Sequence, residues 1–438
     1  MTQPTETFLS ELEWRGLLHQ TAGSGLEEHL ASPGRTGYCG FDPTADSLGV
    51  GNLVALSIMR LWQRAGHKPI LLQGGATGLI GDPSFKDAER NLLSEEEVRH
   101  NIECQAAIMR PLFRWEDEDK QSGARLVNNL DWWRDLNFID VLRDIGKHFS
   151  VNAMIQRDSV RMRLEDRDHG ISYTEFSYML LQAYDFLHLH SSYDCTVQMS
   201  GSDQYGNIVS GMDLIRRHAA AEGHEARSFA VTTPLLLKAD GKKFGKTEAG
   251  NIWLSADRTS PYAFYQFWIN ASDDDVGRLL RTFTLLGREE IEEIETKHAA
   301  APHERSAQQR LAGEVTQAVH GDDEIERVRA ASGALFGKGE LRDLDAKMLS
   351  DVFADVPHSI HAKQDLEKDG VALADLLPET SLAKSKREAR EYLKNGAIAI
   401  NGRKVAADAR LTGKDLLHGE TILIKRGKKL WHASLWRS

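Results

Sequence analysis

Cysteine is scarce in this 438-residue chain: Cys39, Cys104 and Cys195 are the three, and they lie far apart. That excludes a disulfide framework and a close-spaced zinc motif. It suits a reducing compartment, so a cytoplasmic location is expected. Long apolar runs are lacking as well. No stretch approaches the ~20 residues that span a bilayer, so no membrane partner is expected. The opening Met-Thr-Gln-Pro-Thr-Glu has neither a basic start nor an apolar stretch, which speaks against a cleaved secretory signal. There is no internal repeat and no low-complexity tract. No metal site is read either, because His188 and His190 lack a third nearby ligand and are taken as ordinary histidines.

What remains is a globular composition, 41% apolar, 8% aromatic and 27% charged, which excludes a disordered or fibrous chain. The length suffices for a buried core without staples, and at roughly 150 residues per domain it suggests about three domains. A net charge of −11 argues against a polyanionic partner for the chain taken whole. The distribution argues otherwise. Residues 381–438 hold 14 Lys and Arg against 5 Asp and Glu, a local charge of +9, which leaves −20 on the other 380. A basic terminal module on an acidic body suggests a polyanion docked at one end.

Along the first ~250 residues, strand-like and helix-like segments alternate. Residues 36–41 read as a buried strand. After a loop, Val54, Ile58, Leu61, Trp62 and Ala65 mark one face of a helix that Gly66 would end. Residues 69–73 read as the next strand. A strand–helix–strand crossover implies a parallel sheet, so a doubly wound, Rossmann-like α/β domain is expected over 1–257. Residues 258–349 turn to helical patterns rich in Arg, Glu and Ala, an all-α domain. Residues 350–375 read as a linker, and 376–438 as a small α+β module. In that module Arg387, Arg390 and Lys394 line a basic helix over 384–395 that Gly396 would cap. A hairpin then turns at Asn401-Gly402.

Four segments carry chemistry. Between the first strand and its helix, Gly49 and Gly51 would let a ligand approach the backbone, and the helix N-terminus near Asn52 favours phosphate. After the second strand, the glycine-rich run 74–84 ends in Asp82, a carboxylate suited to an ammonium group, with Lys86 and Arg90 beyond it suited to a polyphosphate. Tyr178, Gln182 and Asp185 form one polar line on a largely apolar helix; the solvent-facing reading is weighed down by the lack of Lys, Glu or Arg among them. Gln198, Asp203 and Gln204 repeat that character at a later strand end. Finally Lys238, Lys242, Lys243 and Lys246 fall in nine residues, a cationic loop able to neutralise a departing pyrophosphate.

In this order the segments resemble the bacterial-type tyrosyl-tRNA synthetases, a family of class I aminoacyl-tRNA synthetases. Residues 38–48 look like the family's first block, Gly74 to Ser84 its second, and Tyr178 to Asp185 with Gly201-Ser202-Asp203-Gln204 its amino-acid and ribose blocks. Lys243-Phe244-Gly245-Lys246-Thr247 is similar to its lysine loop, and the basic tail to its usual small RNA-binding domain. The resemblance implies an ATP-dependent tyrosine–tRNA ligase, with Mg²⁺ on the ATP phosphates, L-tyrosine and tRNA(Tyr) as partners, and a homodimer. It implies that Tyr38 and Asp185 bond the substrate phenol, that Asp82, Tyr178 and Gln182 hold its ammonium group, and that Gln198 lines the same site. Asp42, Gly49, Gly51, Asn52, Gly201 and Asp203 would take ATP, Asp203 at the ribose. Gln204 would stand where carboxylate meets α-phosphate, with Thr44 on the ATP side and Lys86, Arg90, Lys243, Lys246 and Thr247 around pyrophosphate. One position departs from the pattern: the family's His-x-Gly-His or His-x-Gly-Asn is here Gly49-Val50-Gly51-Asn52. That leaves open a second reading, a non-catalytic or weakly active RNA-binding paralogue.

Overall fold

A computed structural model describes residues 7–82, 92–157, 160–161, 164, 170–237, 244–247, 250–335, 339–354, 356–367, 369–427 and 430–437. Six strands form the main sheet: β1 (Gln20–Ala22), β2 (Thr36–Phe41), β3 (Lys68–Gln73), β4 (Arg125–Asn128), β5 (Cys195–Gly201) and β6 (Phe229–Thr233). Their order is β1-β6-β5-β2-β3-β4. The five strands β2 to β6 pair in parallel, as expected from the strand–helix–strand rhythm. β1 pairs antiparallel with β6 at the edge, a strand that its three mostly exposed residues did not announce in sequence.

The chain runs β2, β3, β4 to one side and then returns to lay β5 and β6 on the other. The order therefore reverses between β2 and β5, and a crevice opens at their carboxyl ends. The helix Val50–Arg64 buries Val54, Ile58, Leu61 and Trp62, and Gly66 adopts φ +84 beyond it, the left-handed stop that a C′ glycine supplies. The second long helix of the crevice, Tyr173–Tyr193, starts at Ser172, whose side chain accepts from the Glu175 N–H.

The glycine-rich run is a short helix, Gly75–Ile80, and not an open curl. A Cβ on Gly74 would stand 2.3 Å from Asp42 Oδ1, and one on Gly75 would stand 2.2 Å from Asn128 Oδ1. These glycines make room for neighbouring protein segments.

Two compact units result, Met1–Thr259 with Phe267–Val319, and Ser260–Gln266 with His320–Ser438. They do not follow the expected boundaries at 257 and 349. In the first, the buried Arg15 donates to the carbonyls of Arg281, Thr284 and Leu286 at 2.7, 2.9 and 2.6 Å, which ties the α/β layer to the helices that follow. In the second, a five-stranded sheet runs in the order Arg403–Lys404, Ile398–Ile400, Thr421–Arg426, Leu430–Arg437, His358–Ala362. The last of these strands lies inside the stretch read as a linker, because its polar, mostly exposed side chains mask a backbone that pairs in parallel with Leu430–Arg437. The basic helix spans Lys386–Lys394 with Arg387, Arg390 and Lys394 exposed. The hairpin turns at Asn401 (φ +47) and Gly402 (φ +84), as the Asn-Gly pair requires. Among the described residues, no helix is long and apolar enough to cross a membrane.

Candidate active site

The crevice at the carboxyl ends of β2 and β5 holds a cavity of about 240 Å³. Tyr38, Asp82, Tyr178, Gln182, Asp185 and Gln198 all line it, so one cavity collects every residue expected at the amino-acid side. β2 contributes Tyr38, β5 contributes Gln198, and the helix Tyr173–Tyr193 contributes Tyr178, Gln182 and Asp185 at i, i+4 and i+7. The polar line on that helix therefore faces the crevice and not solvent.

At the floor, Asp185 is only 1% exposed. Its Oδ1 accepts the indole N–H groups of Trp132 (2.9 Å) and Trp133 (2.8 Å), and its Oδ2 accepts the Asn129 amide (2.9 Å). Burial pushes its pKa up to about 7, against the pull of those three hydrogen bonds, and Asp42 adds to the rise. Tyr38, 1% exposed, has a hydroxyl with no partner among the described residues. Burial first, then Asp185, holds that phenol well above its usual range, so it stays a donor. The buried Gln198 Oε1 likewise lacks a partner among the described residues. Unpaired buried polar atoms cost free energy unless something meets them, and both atoms belong to residues that line this cavity.

Above the floor, the polar groups form a connected set. The Tyr178 hydroxyl donates to Asp42 Oδ2 at 3.0 Å, and Thr77 donates to Asp42 Oδ1 at 2.8 Å. Gln204 donates to Asp82 Oδ2 at 2.9 Å, while Asn207 donates to both Gln182 Oε1 and Gln204 Oε1, at 2.9 and 3.1 Å. Asp42, expected on the nucleotide side alone, thus also lines the first cavity.

A second cavity of about 270 Å³ continues past Asp42 and Thr44 to Gly49, Gly51 and Asn52. Gly49 caps the helix Val50–Arg64, and its N–H donates to Asn52 Oδ1 at 3.1 Å. The Val50 N–H donates to the Ile252 carbonyl (3.1 Å), which pins this turn to the segment after the lysine loop. Gly245 at φ +84 permits the approach, since Val50 Cβ lies 3.3 Å from where its own Cβ would stand. Lys246 and Thr247 pair with Gly250–Asn251 through their backbones. Lys86, Arg90 and Lys243 lie outside the described residues, as do the side chains of Lys246 and Thr247. Gly201 and Asp203 stand at the end of β5, next to Ser200 and Gln204 of the first cavity, but do not line it.

Sequence reasoning missed Asn129, Trp132, Trp133, Thr77 and Asn207. A signal existed for the first three. Asn129-Leu130-Asp131-Trp132-Trp133 follows a strand directly, and two adjacent tryptophans at a strand's carboxyl end are unusual surface residues. His188 stacks on Trp132 at 4.3 Å and is lowered in pKa by burial, a packing histidine.

Residues 35–337 match the model of tRNA synthetases class I (W and Y), and residues 349–433 match the tyrosine–tRNA ligase SYY-like C-terminal domain. The tyrosine–tRNA ligase of Porphyromonas gingivalis is 48% identical over 431 residues, 97% of this chain and 98% of that protein. That of Roseiflexus castenholzii is 49% identical over 428 residues, with the same coverage of both chains. Among solved structures, the C-terminally truncated mitochondrial tyrosyl-tRNA synthetase of Aspergillus nidulans is 32% identical with a TM-score of 0.68, covering 76% of this chain and 94% of that one. Likeness of this extent, in sequence from end to end and in fold over three quarters of the chain, places the protein in the tyrosyl-tRNA synthetase family of the class I aminoacyl-tRNA synthetases.

Proposed function

We infer that the protein is a tyrosine–tRNA ligase: tyrosine and ATP give tyrosyl-adenylate and pyrophosphate, and the tyrosyl group then passes to tRNA(Tyr). The observation that carries this reading is the cavity floor, where a buried carboxylate and a buried phenol with no partner among the described residues await a group that both donates and accepts. Phenylalanine would leave both unmet. Relatives matched over nearly the full chain are named as ligases, and nothing favours a non-catalytic paralogue.

The substrate's carboxylate is itself the nucleophile, so no side chain needs to form a covalent bond. Asp82, Tyr178 and Gln182 fix the ammonium group, and Tyr38 with Asp185 the phenol. Carboxylate oxygen attacks the α-phosphorus near Gln204 and pyrophosphate leaves. Gly49, Gly51 and Asn52 receive the nucleotide at a helix N-terminus, with Thr44 beside them and Asp203 at the ribose. Charge developing on pyrophosphate falls to Lys86, Arg90, Lys243, Lys246 and Thr247. Mg²⁺ would be held by the oxygens of the ATP phosphates and would supply further neutralisation there.

Residues 258–349 are assigned to anticodon binding and the basic face of Lys386–Lys394 to tRNA phosphates. A cytoplasmic homodimer is the assembly we propose. Between residues 138 and 173, Phe138, Ile139, Val151 and Tyr173 are 62%, 65%, 56% and 66% exposed, more apolar surface than a solvated segment should show. Tyrosine-dependent ATP–pyrophosphate exchange tests the activity, and no exchange would overturn it. A mass near 49 kDa in light scattering would overturn the dimer.

A further inference from the structure

A carboxylate has about four acceptor sites, and at Asp185 the protein itself fills three. Both indole N–H groups converge on Oδ1, and the Asn129 amide takes one site on Oδ2. Among the described residues nothing takes the second lone pair of Oδ2, which is left for a ligand. We propose that Trp133 is a positioning residue that holds Asp185 as an acceptor-only carboxylate, so that the pocket selects un-ionised phenols and rejects tyrosine analogues whose phenol has ionised. This rests on the functional reading above and adds which protonation state of the substrate class the site takes.

The geometry separates Trp133 from its neighbours. Trp132 is buried and stacked on His188, so its ring belongs to the core. Asn129 also accepts from the Ala76 N–H at 2.7 Å and donates to Thr77, so it serves the backbone as well. Trp133 is half-buried and meets Tyr184 edge-on at 5.0 Å. Its N–H to Asp185 is thus the donor of the three whose removal disturbs the surrounding packing least.

An un-ionised phenol donates to Oδ2 and accepts from the Tyr38 hydroxyl. A phenolate can only accept, and it would set a second negative charge against Asp185 where little water screens it. The groups that face Asp185 are Tyr38 and Asp42 from β2 and its loop, Tyr178 and Tyr184 from its own helix, and the three N–H donors, with His188 behind Trp132. Burial raises the Asp185 pKa to about 7 and the donors oppose it. Removing one donor moves it further up. The carboxylate, present above that pKa and lost below it, is then lost at higher pH.

The test is ATP–pyrophosphate exchange by the full chain and by Trp133→Phe from pH 6 to 9, with tyrosine, 3-fluorotyrosine and 2,3,5,6-tetrafluorotyrosine. Fluorination lowers the phenol pKa while nearly keeping its size. For the unaltered chain, the tetrafluoro analogue should be used at least a hundredfold less well than tyrosine at pH 8, and the monofluoro analogue nearly as well. In Trp133→Phe the tyrosine KM should rise about tenfold, kcat should stay within twofold, and the acid limb of kcat/KM should move to higher pH. Equal use of tyrosine and the tetrafluoro analogue at pH 8, or an unchanged KM and acid limb in the variant, overturns the proposal while leaving the ligase reading intact. Absence of any tyrosine-dependent exchange by the unaltered chain overturns both. The analogue comparison needs no variant, so it decides even if Trp133→Phe fails to fold.

Discussion

The two ends of the cleft are built differently. At the end proposed for the phenol, Asp185 sits 1% exposed with three N–H donors from a neighbouring strand end and helix, and Tyr38 is equally buried. At the end proposed for the nucleotide the described contacts run through backbone amides and a glycine: the Gly49 N–H donates to the Asn52 side chain, the Val50 N–H to the Ile252 carbonyl, and Gly245 closes against Val50. Distinguishing one hydroxyl requires donors and acceptors set before the ligand arrives, in a place water does not reach. Neutralising a polyphosphate requires only charge within range, because Coulomb attraction falls off slowly with distance.

Truncating the phenol end should have the largest effect. Asp185→Ala strands three buried N–H groups and removes a charged acceptor, so kcat/KM for tyrosine should fall roughly a thousandfold, with about 3 kcal/mol of stability lost. Steady-state exchange and denaturant melts check this, and a loss under tenfold would mean that the floor does not read the hydroxyl. Next comes a test of whether the cleft is self-contained. Removing residues 349–438 should lower kcat/KM for tRNA charging about a hundredfold and flatten its salt dependence. Pyrophosphate exchange should stay within twofold; parallel losses would show that the cleft depends on the second unit.

At the nucleotide end, Gly49→His should speed adenylate formation at least tenfold while tyrosine KM hardly changes. Among the described residues, a Cβ on Gly49 would meet only the Ile252 carbonyl at 3.6 Å and Asn52 Oδ1 at 3.9 Å, ordinary contacts. A preorganised donor at developing charge typically contributes about 2.7–4 kcal/mol, and a bridging water can replace part of it. Pre-steady-state activation measures it, and a slower variant would mean the turn has been rebuilt around glycine. The smallest effect should come from Tyr38→Phe, which removes one neutral donor: about a three- to tenfold rise in tyrosine KM with kcat unchanged. A larger effect would place Tyr38 on the reaction path.

The strands 36–41 and 68–73, the helix between them, the basic helix and the Asn-Gly hairpin were legible from the sequence because each depends on local matters: periodicity, a φ only glycine tolerates, a cap. The line Tyr178, Gln182, Asp185 was legible for the same reason, since helical spacing alone puts three residues on one face. Spacing could not say what that face meets. That β5 returns beside β2, that His358–Ala362 closes a second sheet, and that Asn129, Trp132 and Trp133 converge on Asp185 from some 50 positions away all depend on pairings between distant segments. The sequence by itself determined which groups were available and which helix would carry them. Only the tertiary structure decided that the carboxylate is buried and has one lone pair to offer, because burial and hydrogen-bond partners are properties of what packs around a residue and not of its neighbours along the chain.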